Sequence, residues 1–259
     1  IRCNLLSTIF CKSCDKLFVA PGNSGTSLVA ENLDISPTDF DLVKGAIVQH
    51  NIQLVVVGPE DPLVRGIHDF IISDPILKGV KVIGPKQKAA QLEGSKDFAK
   101  NFLNRHNIPT AKHETFTKRQ FEEACEYIDN NSPPYVLKAD GLAAGKGVLI
   151  IDNPNQAKDE LYQMLVKSKF GVASSSVVIE EFLNGIELSC FIVTDGKNYK
   201  ILPSAKDYKR IGEGDTGLNT GGMGAISPPP FLNEDINTKI EERIIYPTIK
   251  GFALDRLDY

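Results

Sequence analysis

The sequence predicts two domains: an α/β domain with a doubly wound parallel sheet over residues 1–94, and an α+β domain over residues 95–259. Before Gly94, short apolar runs that end at Gly-Pro turns alternate with helical segments, which is typical of a parallel sheet covered by helices. After Gly94, strands follow one another with few helices between them. This change of pattern places the boundary near residue 94.

The first domain opens with a predicted strand over 16–20, which a Pro-Gly turn ends. Ser36 is the predicted N-cap of the next helix, with Pro37 at its first position. One face of that helix is apolar: Phe40, Val43 and Ile47. The apolar run 53–57 predicts a strand buried on both faces. A helix over 63–72 and a strand over 80–83 complete the domain.

In the second domain, Ser95 caps a predicted helix that runs to about His106, and a second helix is predicted over 118–130. A third helix follows the N-cap Asn153, and its spacing predicts these buried side chains: Leu161, Met164 and Leu165. Strands are predicted over 135–140, 148–151, 177–180, 188–194 and 200–202.

Composition excludes several classes of protein. A formal net charge of -4 argues against a nucleic-acid-binding domain. No apolar run approaches the ~20 residues of a membrane-spanning helix. The five cysteines are odd in number within a long chain, which favours free thiols in a reducing compartment and predicts a cytosolic (cytoplasmic) location. The first residue is Ile, so the chain is expected to be a fragment.

The clearest functional motif runs from Lys138 to Val148 (KADGLAAGKGV) and joins two predicted strands through a loop. Glycine allows backbone N–H groups to approach an anion closely, and lysine neutralises phosphate charge. A Walker A loop would end in Ser or Thr at position 147 and enter a helix, whereas here Gly147 precedes a β run. The pattern predicts a hairpin that folds over phosphates; the alternative is an ordinary glycine hairpin with surface lysines.

A second motif is the pair Glu180 and Glu181 at the end of a buried strand, followed by Glu187. Adjacent side chains on a strand point to opposite faces, so only one of the pair faces a given pocket. That carboxylate would accept a hydrogen bond from an amino group or a ribose hydroxyl, and the other would be solvated. The alternative is that these acidic residues have no role in binding, since acidic residues commonly occur at the ends of strands.

Two further segments suggest binding. The window 206–224 contains six glycines from Gly212 onward and a cationic entrance at Lys209 and Arg210, which predicts a long binding loop; a disordered surface flap is the alternative. Gly58-Pro59-Glu60 ends a predicted parallel strand, at the sheet edge where ligands bind in open α/β sheets. A rigid turn is the other interpretation.

Together these motifs resemble the phosphoribosylamine–glycine ligases, also called glycinamide ribonucleotide synthetases, of the ATP-grasp superfamily. The resemblance runs from about Lys16 to Tyr259. It rests on these segments, in order: VAPGNSGT (19–26), VVVGPEDPL (55–63), QLEGSK (91–96), NIPT (107–110), VLKADGLAAGKGV (136–148), VIEEFLNG (178–185) and LNTGGMGA (218–225).

The resemblance implies ADP-forming ligation of glycine to 5-phosphoribosylamine through glycyl phosphate in purine synthesis. It implies ATP and Mg²⁺ (or Mn²⁺) as cofactors, small-molecule substrates, and neither a nucleic-acid nor a membrane partner. It leaves open whether the parent chain is fused to further purine-pathway domains.

The residues implied in catalysis are Lys138, Lys146, Lys209 and Arg210. Those implied in ATP binding are Lys96, Lys138, Gly141, Gly145, Lys146, Gly147, Glu180, Glu181, Phe182, Leu183 and Glu187. Those implied in substrate binding are Gly58, Pro59, Glu60, Thr220, Gly221, Gly222 and Met223.

The sequence departs from the family at both ends. Residues 1–15 lack the family's opening glycine-rich loop, so the first βα unit is expected to be missing or replaced. The family's magnesium ligands and C-terminal domain are expected beyond Tyr259, so both domains are expected to be incomplete and the isolated chain inactive. Two alternatives remain: another ATP-grasp carboxylate–amine ligase, and a non-catalytic nucleotide-binding fragment.

Overall fold

The structure, a computed structural model, describes residues 14–143, 146–214 and 216–259. It divides into two compact units, Ile1–Gly94 and Ser95–Tyr259. No helix within the described residues has both the length and the apolar character needed to cross a membrane.

The first unit contains two pairs of parallel strands, β1 with β2 and β3 with β4. Its strands and helices are β1 (Phe18–Val19), β2 (Glu31–Asn32), α1 (Phe40–Gln49), β3 (Leu54–Val56), α2 (Glu60–Val64), α3 (Ile67–Ser73), β4 (Lys81–Ile83) and α4 (Gln87–Gly94). The parallel pairing of β3 with β4 confirms the parallel strands that the sequence predicts for this domain. Strand β2 and helix α4 have no counterpart among the predicted elements.

Helix α1 differs from its prediction at the N-terminus. It begins at Phe40 rather than after Ser36, because the Asp39 side chain accepts a hydrogen bond from the Leu42 amide (3.2 Å) and so caps the helix. Its predicted apolar face is correct, since Ile47 is buried and Phe40 and Val43 pack against the same core cluster.

Two other predictions for this unit were wrong. The single helix expected over 63–72 is two helices, α2 and α3, because Gly66 between them has a φ of 95°. Strand β3 was expected to be buried on both faces, yet Leu54 is 43% exposed, and Val55 and Val56 are only half-buried.

The second unit contains a four-stranded antiparallel sheet of order β5-β8-β6-β7 and a three-stranded antiparallel sheet of order β11-β10-β9. Its elements are α5 (Lys96–Arg105), β5 (His113–Thr117), α6 (Phe121–Asp129), β6 (Tyr135–Ala139), β7 (Val148–Ile151), α7 (Pro154–Leu165), β8 (Ser176–Glu181), β9 (Ser189–Thr194), β10 (Tyr199–Gly212), β11 (Thr216–Ile226), α8 (Glu234–Ile240) and α9 (Tyr246–Leu254), with a π-helical turn at Glu241–Ile245.

Local signals in the sequence located most of these elements. Ser95 accepts from the Phe98 amide and caps α5, and Asn153 accepts from two amides at the start of α7, as predicted. The predicted apolar residues of α7 are buried against one face of the four-stranded sheet. Strand β5, with the polar sequence HETFT, was not predicted. The opposite face of the sheet carries Lys138 and Glu180.

The window 206–224 is not a loop, which corrects its prediction. Its residues form the end of β10 and most of β11, paired from Lys206 with Ile226 to Gly212 with Thr216. The register shifts twice along this hairpin. Backbone hydrogen bonds build the strands, so a sequence rich in glycine forms them despite its low intrinsic β-propensity.

The last helix of the unit, α9, packs against α5. A Cβ atom on Gly251 would lie 2.6 Å from Phe102 Cζ and 2.8 Å from His106 Cδ2, so only glycine allows this approach. Beyond the helix, Asp255 accepts a hydrogen bond from Arg105 (2.6 Å). That bond is the main reason that the pKa of Asp255 lies below its ordinary value.

Candidate functional site

The candidate site is centred on Lys138, at the end of β6. Lys138 pairs in register with Val178 of β8, so Glu180, two residues along β8, lies on the same face of the sheet. Lys138 Nζ donates to Glu180 Oε2 at 2.8 Å. Glu180 is buried and Glu181 is exposed, which confirms that the two carboxylates face opposite ways. Glu181 accepts a hydrogen bond from the Lys112 amide.

A second lysine, Lys100 of α5, contacts the same carboxylate. Its Nζ lies 3.3 Å from Glu180 Oε2 and also donates to Thr110 Oγ1 (2.8 Å) and to the Ala111 carbonyl (3.3 Å). Burial lowers the pKa of Lys100, and the negative charge of Glu180 opposes that shift. We call Lys100, Lys138 and Glu180 the lysine–glutamate triad.

Lys96, at the start of α5, contacts the loop that follows β6. Its Nζ donates to the carbonyls of Asp140 and Gly141, at 3.3 Å each. Lys96 and Lys100 are four residues apart and therefore lie on one face of α5. That face is directed toward the ends of β6 and β8.

Asp140 connects the start of this loop with the N-terminus of α5. Its carboxylate accepts from the Asp97 amide (2.8 Å) and from the hydroxyls of Ser95 (3.1 Å) and Ser176 (3.3 Å). A carboxylate at this position also interacts favourably with the helix dipole. The network fixes the first residue of α5, Lys96, relative to the loop.

Two glycines of the predicted phosphate loop allow close packing. A Cβ atom on Gly141 would lie 2.9 Å from Ala173 Cα, and one on Gly147 would lie 2.8 Å from Ala143 Cβ. The Gly141 amide donates to the Ala173 carbonyl at 3.3 Å. Lys146 is exposed, and Gly145 lies outside the described residues. As predicted, the loop joins two antiparallel strands, β6 and β7.

The remaining predicted residues of the second unit form another group on the β10–β11 hairpin. Lys209 makes an ion pair with Glu187 and donates a hydrogen bond to its carboxylate. This hydrogen bond is the main reason that the pKa of Lys209 is raised. Thr220 donates to the Lys209 carbonyl (2.8 Å) and accepts from the Gly222 amide (3.1 Å). Arg210 stands in register with Asn219 across the hairpin.

Other predicted residues of this unit lie in exposed positions. Phe182 and Leu183 follow β8 and are 40% and 65% exposed, and Met223 on β11 is 59% exposed. The backbone of Gly221 lies within β11.

Gly58, Pro59 and Glu60 belong to the first unit. Pro59 is the N-cap of α2 and Glu60 is its first residue, so the turn both ends β3 and begins a helix. Its position after a strand with a parallel partner agrees with the prediction. All three residues are exposed.

Sequence reasoning missed two residues of this site, Lys100 and Asp140. Lys100 had a weak signal, since its spacing of four from Lys96 predicts a shared helix face. Asp140 lies inside a motif singled out for its lysines and glycines, and nothing local indicates that its partners are at positions 95, 97 and 176.

Over the described ranges 14–143, 146–214 and 216–259, no group of three or more His, Cys, Asp or Glu side chains could hold a metal ion. The cations of the site suit an anionic ligand instead.

Comparison with known proteins covers almost the whole chain. The phosphoribosylglycinamide synthetase N domain matches residues 5–93, and the phosphoribosylglycinamide synthetase ATP-grasp (A) domain matches residues 94–259. The N-domain match begins earlier than Lys16, where the resemblance was expected to start.

Two curated relatives illustrate the similarity. The phosphoribosylamine–glycine ligase of Haemophilus influenzae is 49% identical over 93% of this chain and 55% of its own length. The bifunctional purine biosynthetic protein PUR2,5 of Pichia angusta is 47% identical over 92% of this chain and 30% of its own length. The chain thus spans about half the length of the single-function relatives that it matches.

A solved structure is similar as well. The crystal structure of phosphoribosylamine–glycine ligase from Thermotoga maritima aligns with a TM-score of 0.82 and 34% identity. The alignment covers 100% of this chain and 60% of that one.

Proposed function

This chain belongs to the phosphoribosylglycinamide synthetase family, and from that premise we propose that it supplies the nucleotide-binding part of an enzyme joining glycine to 5-phosphoribosylamine. One observation carries the proposal: within the region that matches the ATP-grasp domain, Lys96 of α5 donates to the loop after β6, and Lys138, just before that loop, donates to Glu180 of β8. ATP-grasp ligases use ATP and Mg²⁺.

The chemistry requires an activated carboxylate. Transfer of the γ-phosphoryl group of ATP to glycine gives glycyl phosphate and ADP. The amine of 5-phosphoribosylamine then attacks the carbonyl carbon, the C–N bond forms, and phosphate leaves with the electrons of the C–O bond. Phosphoryl transfer depends mainly on positioning and on neutralising charge, which is what a group of fixed lysines provides.

The residues of the second unit take the following roles in this proposal. Lys96, Lys138 and Lys146 neutralise the phosphates of ATP, and the loop over 141–147 covers them. The segment after Glu180 borders the adenine, because Phe182 and Leu183 offer exposed apolar surface there. Glu187, which makes an ion pair with Lys209, accepts a hydrogen bond from a ribose hydroxyl of ATP.

The substrates are assigned to other groups. Lys209 and Arg210 neutralise charge on the acyl phosphate, and the segment 220–223 lies on the side of glycine and 5-phosphoribosylamine. Within the first unit, the Gly58-Pro59-Glu60 turn is assigned to substrate binding by itself, since it follows a strand with a parallel partner. Magnesium (or manganese) is assigned no ligand and no step in this proposal.

An ATP titration of the 259-residue chain tests the nucleotide site. Lys138→Ala should weaken ATP binding by ~1.5–3 kcal/mol, the contribution of a charge-assisted hydrogen bond. Lys118→Ala, at an exposed position outside the site, is the matched control and should leave the affinity unchanged. Equal ATP affinities for the Lys138→Ala variant and the original chain would remove Lys138 from the site.

Glycine-dependent ADP release, measured with freshly generated 5-phosphoribosylamine, tests the reaction. The Haemophilus influenzae relative at its full length serves as the positive control. That the 259-residue chain alone stays at background remains a prediction. ADP formation that ignores glycine would contradict the ligase assignment and leave a nucleotide-binding protein.

The setting of the enzyme is also part of the proposal. A fused relative, named as a bifunctional purine biosynthetic protein, supports a parent chain that carries further domains of purine synthesis. A cytosolic location is expected for such a chain.

A further inference from the structure

The lysine–glutamate triad contains two cations and one anion that meet at a single oxygen atom. Lys138 Nζ lies 2.8 Å from Glu180 Oε2 and Lys100 Nζ lies 3.3 Å from it. Ionised, the three groups carry a net charge of about +1. A pair of Lys138 and Glu180 without Lys100 would have no net charge.

The two lysines differ in exposure and in partners. The Lys100 side chain is 10% exposed, and its three acceptors match the three N–H bonds of an ammonium group. The Lys138 side chain is 28% exposed, and within the described part of the chain its hydrogen-bond partner is Glu180. Lys100 is thus fully engaged inside the protein, whereas Lys138 reaches the surface.

Because Glu180 is buried, its negative charge acts strongly on Lys138. The carboxylate is 5% exposed, so water screens it poorly and it would strongly reduce the attraction of Lys138 for an anion. Lys100 supplies a second positive charge to the same oxygen. The positive charge of Lys138 is therefore not cancelled at the surface.

From this geometry we propose that Lys100 is a positioning residue that holds and neutralises Glu180, so that the Lys138 ammonium is directed toward, and attracts, the phosphates of a nucleotide. The inference rests on the proposed function, because it assumes that the anion is the polyphosphate of ATP. Lys100 does not itself contact the nucleotide in this proposal. Its positive charge nevertheless determines how tightly the site binds ATP.

Binding of ATP and of adenosine to the 259-residue chain tests the inference, because adenosine lacks the phosphates. Lys100→Met removes the charge and keeps an unbranched side chain of similar length. We expect ATP affinity to fall about ten-fold, or ~1.4 kcal/mol. Adenosine affinity should change by less than about two-fold, since adenosine carries no charge of its own for Lys138 to attract.

A charge-restoring variant separates electrostatics from structure. Lys100→Met combined with Glu180→Gln returns the net charge to about +1, and replacing a buried ion pair with neutral groups is often tolerated. The ratio of ATP affinity to adenosine affinity should recover to within about three-fold of the original chain. Glu180→Gln alone should raise that ratio, which keeps the test decisive if Lys100→Met does not fold.

The outcomes are distinct. Loss of ATP and adenosine binding in equal measure, without recovery in the double variant, would make Lys100 a purely structural residue and overturn the inference. Unchanged affinities for both ligands in Lys100→Met would overturn it while leaving the nucleotide site in place. An original chain that binds neither ligand would refute the proposed function and this inference with it.

Discussion

Asp140 is expected to stabilise the second unit, and replacing it tests how the loop after β6 is held. Asp140→Ala removes a charge-assisted bond from the Asp97 amide at 2.8 Å, worth ~1.5 kcal/mol. It also removes bonds from two serine hydroxyls at 3.1 and 3.3 Å, worth ~0.5 kcal/mol each at this length. The expected loss in the free energy of unfolding is therefore ~2.5 kcal/mol.

Urea denaturation followed by tyrosine fluorescence measures this loss. The chain has no tryptophan, and all seven tyrosines lie in Ser95–Tyr259, so the signal reports on the second unit. Asp140→Asn keeps an acceptor for the Asp97 amide and should lose only ~1 kcal/mol. Asp159→Ala, at an exposed position of α7, is the control and should stay within ~0.5 kcal/mol. A loss below ~0.5 kcal/mol for Asp140→Ala would refute the reasoning.

Three further predictions concern the second unit. Gly251→Ala should destabilise it by ~1–2 kcal/mol in the same urea assay because the added Cβ meets two rings, whereas Gly185→Ala, with open space around it, should have little effect. Asp255→Asn should lower stability at pH 7. The bond from Arg105 lowers the pKa of Asp255 in the folded state. In the same urea assay, the difference in the free energy of unfolding between the two chains should therefore be complete at pH values above the ordinary pKa of 3.8, and it should vanish as the pH falls through the folded-state pKa. A difference that persists in stronger acid would contradict this prediction. Hydrogen exchange should show protected amides in the β10–β11 hairpin, with protection decreasing beyond each register shift toward the turn; uniform rapid exchange would restore the binding loop expected from the sequence.

The parts of the fold that could be predicted are those with a local cause. Ser95 and Asn153 cap their helices through amides two or three residues away, so the signal lies within one turn of chain. Glu180 and Glu181 face opposite ways because a strand alternates. In each case the residues that determine the structure are neighbours in the sequence.

The parts that could not be predicted depend on distant partners. Lys100 and Glu180 are eighty positions apart, and α5 must first dock beside β8 before their charges meet. The hairpin of β10 and β11 is stabilised by backbone pairing that glycine neither favours nor prevents, so composition alone indicated a loop. Helix α2 is separate from α3 because Gly66 between them has a left-handed conformation. The spacing of apolar residues, from which a single helix was predicted, contains no information about that conformation.

Helix α5 constrains which changes of length this protein could accept during evolution. Its ten residues place Lys96 on the loop after β6, Lys100 on Glu180 and Arg105 on Asp255. One residue inserted between Lys96 and Lys100 would turn everything that follows it by ~100° and shift it by ~1.5 Å. Both later contacts would then be lost together. Substitutions away from Lys96, Lys100 and Arg105 keep this spacing, whereas an insertion or deletion between these residues breaks it. Changes of length are therefore expected in the segments on either side of the helix.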